Sequence, residues 1–291
     1  MKKGIASSRG AISILNAIPT GIGSAMGITL QTDAMVTIED GKPDIKVKLE
    51  EPDETGILAR ECVTGLFEAC GAKLGKVTVD THSTIPISRG LKSSSAAANA
   101  ITLATTRALG VRIDDIEIVK LGVEAAKRAG VTVTGAFDDA AACYFGGVIV
   151  TDNTEMKILR KCPPPRSDIR VILHVPQKKI RKNGLSSKNF IKLEKEFEIV
   201  EALVLNGEYF KALTENGRLV AKSLDLDDEI AKSALDAGAI AAGISGTGPA
   251  TAILVDHKHF DRVLDAVTCK EADTIVASLN VMPAPEVEPR H

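Results

Sequence analysis

The run Pro86-Ile-Ser-Arg-Gly-Leu-Lys-Ser-Ser-Ser-Ala-Ala-Ala98 constrains this chain more than any other stretch of it. It follows a short β-branched alternation, Val77 to Asp80, and opens an alanine-rich segment, Ser93 to Leu109, closed by Gly110. That pattern predicts a strand, a glycine turn and then a helix with glycine as its C-terminal stop. The first turn of such a helix leaves backbone N–H groups unpaired, and its dipole adds partial positive charge. Hydroxyls from Ser93, Ser94 and Ser95 and the cations Arg89 and Lys92 fall at the same place. Together they predict a cradle for a phosphate. A merely capped helix would need one serine. Here three serines precede three alanines, which keep the helix slim.

Two other nucleotide-binding patterns are excluded. The chain has no G-x-x-x-x-G-K-(S/T) run, and Gly21-x-Gly23-x-x-x-Gly27 has neither dinucleotide spacing nor a βαβ pattern behind it. The formal net charge of −2 supplies no basic field for nucleic acid or an anionic membrane. Aromatic residues are 3% of the chain, too few for base-stacking platforms. The expected partner is a small molecule, or another copy of the chain; the oligomeric state is not legible. Cys62, Cys70, Cys143, Cys162 and Cys269 show no CxxC spacing and read as reduced thiols. The five histidines show no metal-ligand spacing. Met1-Lys2-Lys3 opens no signal peptide, and no segment reaches the roughly 18 apolar residues of a membrane span. A cytoplasmic location is expected.

The 291 residues suit two lobes. Strand patterns cover Gly10 to Ala17, Ile28 to Ile38, Ile45 to Leu49 and Gly147 to Thr151. Helical periodicity covers about 55 to 72 and 114 to 129. Lys161-Cys-Pro-Pro-Pro165 reads as the linker, which gives lobes 1–160 and 161–291. Beyond it come a strand at Ile169 to His174, the basic run Lys178 to Lys182, and helices near 187–205, 207–222 and 227–237. A glycine turn, Gly243-Ile-Ser-Gly-Thr-Gly-Pro249, leads from the last of these helices into the strand Ala250 to Val255. A helix from His259, a strand at Thr274 to Asn280 and a disordered Pro/Glu tail complete the expectation. The class is mixed α+β.

One more segment carries chemistry. Asp138 and Asp139 lie side by side in the apolar run Ala136 to Val150, where unpaired carboxylates are costly. A turn is expected there.

These motifs resemble those of the GHMP kinase family. Gly90 to Ala96 is similar to that family's phosphate loop, with Lys92 in place of the usual small residue. Gly246 and Thr247 belong to a turn similar to the one that closes over phosphates and substrate. The resemblance implies a two-lobed fold: an N-terminal mixed sheet with a left-handed βαβ unit, and a ferredoxin-like C-terminal lobe. It implies ATP contacts from Pro86, Ile87, Ser88, Arg89, Gly90, Leu91, Lys92, Ser93, Ser94, Ser95 and Ala96. It implies magnesium held by Ser94 and by Glu124 on the helix near 121–129. Family members place a catalytic carboxylate seven residues before a Gly-Gly pair; counting back from Gly146 gives Asp139. Counting forward from Thr134-Gly135 gives Asp138, which stays in reserve.

The segment Arg9 to Gly27 stands where the family binds its acceptor, with Arg9 and Asn16 as candidates. It lacks the Gly-Glu-His stretch of sugar and mevalonate kinases. It also lacks the acid that would hold an ammonium group, since Ser24-Ala25-Met26 follows Gly23. Asn-Ala-Ile-x-Thr-Gly, the serine loop and Phe-Asp-Asp together resemble the archaeal type of shikimate kinase. The implied reaction is transfer from ATP to shikimate. Other GHMP activities, on homoserine or an isoprenoid-pathway alcohol, and a non-catalytic ligand sensor are the alternatives.

Overall fold

The computed structural model describes residues 1–48, 56–132, 135–177 and 188–290. The basic run Lys178 to Lys182 and Thr134 therefore lie outside the described residues.

The first sheet is built around one long hairpin. β1 (Lys2–Leu15) pairs antiparallel with β2 (Ile22–Glu39) along nearly its whole length. The other edge of β2 is shared in turn by β4 (Lys76–Ser83) and β5 (Val148–Asp152). β3 (Asp44–Lys48) lies parallel to β4 and reaches it through α1 (Ile57–Ala69), a βαβ unit that makes the sheet mixed. β6 (Lys157–Cys162) pairs with β5 on the far side. It enters the segment expected to be linker, so the prolines stop the chain only after Cys162. Helices α2 (Ser93–Leu109), α3 (Asp115–Arg128) and α4 (Phe137–Phe145) pack behind this sheet. The alanines of α2 are what allow that packing. At Gly4 of β1 a Cβ would lie 2.0 Å from the Ala104 carbonyl oxygen, so the strand backbone rests directly on the helix.

The second sheet has the order β10-β7-β9-β8, antiparallel throughout. Its strands are β7 (Ile169–Pro176), β8 (Ala241–Ile244), β9 (Thr251–Asp256) and β10 (Ala272–Ser278). Between β7 and β8 come α5 (Lys188–Ile191), α6 (Glu194–Leu205), α7 (Tyr209–Leu224) and α8 (Glu229–Asp236), and α9 (Phe260–Val267) links β9 to β10. Numbered within the lobe this is 4-1-3-2, the ferredoxin-like order that the resemblance implied. Among the described residues no helix is long and apolar enough to cross a membrane, and all five cysteines are free thiols.

Three expectations need correction. The acidic pair lies on a helix, α4, instead of a turn. The glycine turn connects two strands, β8 and β9, because Ala241–Ile244 pairs with β9 before the turn begins. The C-terminal tail is packed: Ala284 and Val287 are buried, and Ala284–Glu286 forms a 3-10 turn. Its backbone is satisfied by distant side chains. Gln31 Nε2 donates to Glu288 O at 3.0 Å, Arg107 donates to Pro285 O at 3.1 Å, and the Arg290 N–H donates to Asp33 Oδ2 at 3.1 Å. Just before it, Leu279 bridges Ile28, and Asn280 donates its N–H to Gly27 O and accepts from the Gly147 N–H. This segment fills the gap along β2 between β4 and β5.

Candidate active site

The phosphate loop takes a shape that side chains resist. Ser88, Gly90 and Lys92 all have positive φ, at 56°, 84° and 66°. Gly90 has no alternative, since a Cβ there would lie 2.1 Å from the Ser245 carbonyl oxygen. The loop is fastened to the second lobe. The Ser245 hydroxyl donates to Gly90 O at 2.8 Å, and the Ala250 N–H donates to Arg89 O at 3.0 Å. No side chain caps α2 at Lys92. The helix's first backbone bond runs from the Ala96 N–H to Lys92 O. Among the described residues nothing takes the N–H groups or hydroxyls of Ser93, Ser94 and Ser95, so an anion can. The Arg89 guanidinium is buried; one nitrogen donates to Gln177 O at 2.5 Å, and among the described residues Nη1 has no partner.

The left-handed backbone at Lys92 turns its side chain inward. Its ammonium lies 2.8 Å from Asp139 Oδ1 and donates to Ser13 Oγ at 2.6 Å. The two charged side chains are 5% and 11% exposed, so this pair is shielded from water and each charge needs the other. Asp139 arrives from α4, which is held from two sides. Asn99 of α2 donates to Ala140 O at 2.9 Å, and Ser8 of β1 donates to Cys143 O at 3.1 Å.

Asp138 has a different environment. Asn153 Nδ2 donates to its Oδ1 at 2.8 Å, while Asn153 Oδ1 accepts from the Asp138 N–H at 3.1 Å and from Thr151 at 2.7 Å. Burial, reinforced by the neighbouring Asp139 charge, pushes the Asp138 carboxyl up to about 7. Folding thus tightens its hold on a proton. Its contribution to stability is complete below the ordinary carboxylate range and is lost as pH rises through about 7. Asp138→Asn keeps the shape without the titration. We expect its melting temperature to gain on wild type as pH rises from about 5 to about 8. Parallel curves would show that Asp138 does not titrate there.

The other expected residues are distributed unevenly. Asn16 joins the cluster: its N–H donates to Asn216 Oδ1 at 2.8 Å, and its Nδ2 donates to Gly246 O at 3.2 Å. Gly246 faces Lys92, and Thr247 is buried beside it. Glu124 lies on the surface of α3, 43% exposed and ion-paired at 2.7 Å with Lys127. Among the described residues no hydrogen bond or ion pair joins it to the phosphate loop. Arg9 is not brought to the acidic pair either. It donates to Asn280 Oδ1 at 2.9 Å, and burial, with Arg290 nearby, pulls its pKa down. That places Arg9 under the C-terminal segment. Arg9→Ala is expected to cost about 1 kcal/mol of stability and to leave acceptor KM within about twofold. A selective rise in acceptor KM would return Arg9 to the substrate.

Comparison with known proteins gives the same architecture a family. The GHMP kinases N terminal domain profile matches residues 58–147, and the GHMP kinases C terminal profile matches residues 199–273. A shikimate kinase of Methanosarcina acetivorans is 44% identical over 87% of this chain and 85% of its own length. The chain belongs to the GHMP kinase family.

Further relatives include a shikimate kinase of Pyrococcus abyssi, 44% identical over 87% of this chain and 92% of that protein. Another, of Methanothermobacter thermautotrophicus, is 36% identical over 94% of both. Among solved structures, the Methanococcus jannaschii mevalonate kinase superposes with a TM-score of 0.78 at 17% identity, covering 95% of this chain and 98% of that one. A homoserine kinase of Cytophaga hutchinsonii gives 0.77 at 16%, covering 97% and 96%. At such identities these two share the fold.

Several residues of this GHMP kinase site escape sequence reasoning. Ser13 is a single polar residue in an apolar strand, Asn153 and Asn216 sit in ordinary polar runs, and Ser245 lies in the glycine turn without having been singled out there. For Ser13 in β1 and Asn216 in α7 the available signal is polarity inside a strand or helix, and it does not say which partner waits there.

Proposed function

We infer that this GHMP kinase transfers the γ-phosphoryl group of ATP to the 3-hydroxyl of shikimate, giving shikimate 3-phosphate and ADP. The observation that carries the reading is sustained identity, 36% to 44% over 84% to 94% of the chain, to proteins named shikimate kinase.

The site is compatible with that chemistry. In phosphoryl transfer the protein chiefly positions the reactants and neutralises charge. The free N–H groups and hydroxyls of Ser93 to Ser95 would surround the transferring phosphates, with Arg89 as a buried cation that has no carboxylate partner among the described residues. Lys92 would lie between the incoming hydroxyl and the phosphoryl group. Asp139 would orient that hydroxyl and accept its proton as the O–P bond forms and the bond to ADP breaks. Magnesium would be held by Ser94, whose hydroxyl is unspent, and by Glu124 only if its carboxylate left Lys127 for the ion. When bound, it would neutralise phosphate charge.

The acceptor is argued from what surrounds Gly23. Ser24, Ala25 and Met26 are buried in β2, and the Ser24 hydroxyl donates to Ile149 O at 2.9 Å. These three residues carry no carboxylate for an ammonium group; the carboxylate packed against Gly23 is that of Asp138, whose Oδ1 already accepts from Asn153. That disfavours homoserine. The test is ATP consumption with shikimate, homoserine and mevalonate in parallel. Turnover with shikimate and little with the others is expected. A preference for homoserine would overturn the acceptor and keep the kinase; no turnover with any acceptor would favour a ligand-sensing role.

A further inference from the structure

Ser13 lies in the segment Arg9 to Gly27 without being one of its candidates, and it touches two other motifs. It lies inside β1 between Ile12 and Ile14 and is 2% exposed. Its hydroxyl oxygen accepts from Lys92 Nζ at 2.6 Å and from the Gly246 N–H at 2.9 Å. Its own N–H donates to Ser245 Oγ at 3.1 Å, and that hydroxyl donates on to Gly90 O at 2.8 Å. One strand residue thus binds the phosphate loop of the first lobe and the glycine turn of the second.

The geometry of the ammonium gives this contact meaning. A lysine head has three N–H donors in fixed tetrahedral directions on a flexible four-carbon stem. Ser13 takes one of them in a hydrogen bond, while the Asp139 carboxylate stands 2.8 Å from Nζ as an ion pair outside hydrogen-bond geometry. The hydrogen bond sets one direction and the ion pair the turn about it. With Asp139 alone, the head could swivel about a contact that has no directional bond. The Gly246 side leaves room for this arrangement, since even a Cβ there would come within 3.0 Å of Nζ.

We propose that Ser13 is a positioning residue for phosphoryl transfer: it aims a free N–H of Lys92 at the reacting phosphate, and the seated glycine turn holds Ser13's oxygen in place for that. The proposal rests on the phosphotransfer reading above and adds a residue that acts only through Lys92.

The test is a double-mutant cycle. Ser13→Ala in the otherwise intact enzyme is expected to lower kcat about tenfold, with both KM values within about twofold. In a Lys92→Ala background the same change is expected to cost less than about twofold, because the group it positions is gone. A tenfold loss in both backgrounds would reduce Ser13 to general packing. An unchanged kcat with Lys92 present would also overturn the proposal. Ser13→Cys keeps the size and weakens the acceptor, so it reads the same cycle should the alanine variant not fold. Wild-type turnover tests the phosphotransfer reading separately, and the cycle tests Ser13.

Discussion

Lys92→Met is expected to lower kcat by about a hundredfold to a thousandfold, the range for losing one charge-stabilising donor from a water-excluded site. Methionine keeps much of the length and the apolar stem while removing the ammonium, so packing around α2 changes little. The electrostatic consequence falls on Asp139, 2.8 Å away and nearly sheltered from solvent. Breaking a buried pair from one side typically costs about 3–5 kcal/mol, mostly the penalty on the charge left behind. The variant should therefore melt earlier as well as turn over slowly. The two effects separate in Lys92→Met/Asp139→Asn. There the stranded carboxylate is gone, so stability should recover while activity stays low. Full activity in Lys92→Met would remove this residue from the chemistry, and recovered activity in the double variant would mean that Lys92 matters only as a counter-ion.

Asp139→Asn alone should lower kcat by about a hundredfold while leaving ATP binding nearly intact, since an amide can orient a hydroxyl but cannot take its proton. Asp138→Asn should cost much less. The basis is the difference in surroundings: Asp139 faces Lys92, while Asp138 Oδ1 and N–H are held by Asn153. Rate measurements on both variants at saturating ATP decide between them. If Asp138→Asn carries the loss and Asp139→Asn does not, the proton acceptor is Asp138.

The phosphate loop was legible because its chemistry is contiguous. Glycine, cation and three serines sit in one run, and the helix they open ends at a glycine, so α2 could be bounded to the residue. Asp138 and Asp139 were legible as costly, but not as helical. α4 is short, starts abruptly after Ala136 at φ 48°, and offers too few turns for a period to show. β6 and β8 were hidden by neighbours with stronger local signals, prolines in one case and small residues in the other. Ser13 could not have been found at all. Its importance comes from three segments, near positions 13, 92 and 246, meeting in space, and a linear reading has no term for that.

The C-terminal segment has a bearing on how the chain is made. Leu279 and Asn280 complete the edge of β2, and residues out to Arg290 lie along the first lobe. A lobe emerging from the ribosome ordinarily folds as a unit, N-terminal first. Here the lobe that emerges first waits for Leu279 and Asn280, which emerge after the second lobe's strands. Until then Ile28 and Gly27 present an open strand edge, the kind of surface that recruits other chains. The second lobe must therefore be made before the first is sealed, and a chain cut before Leu279 would carry that edge permanently.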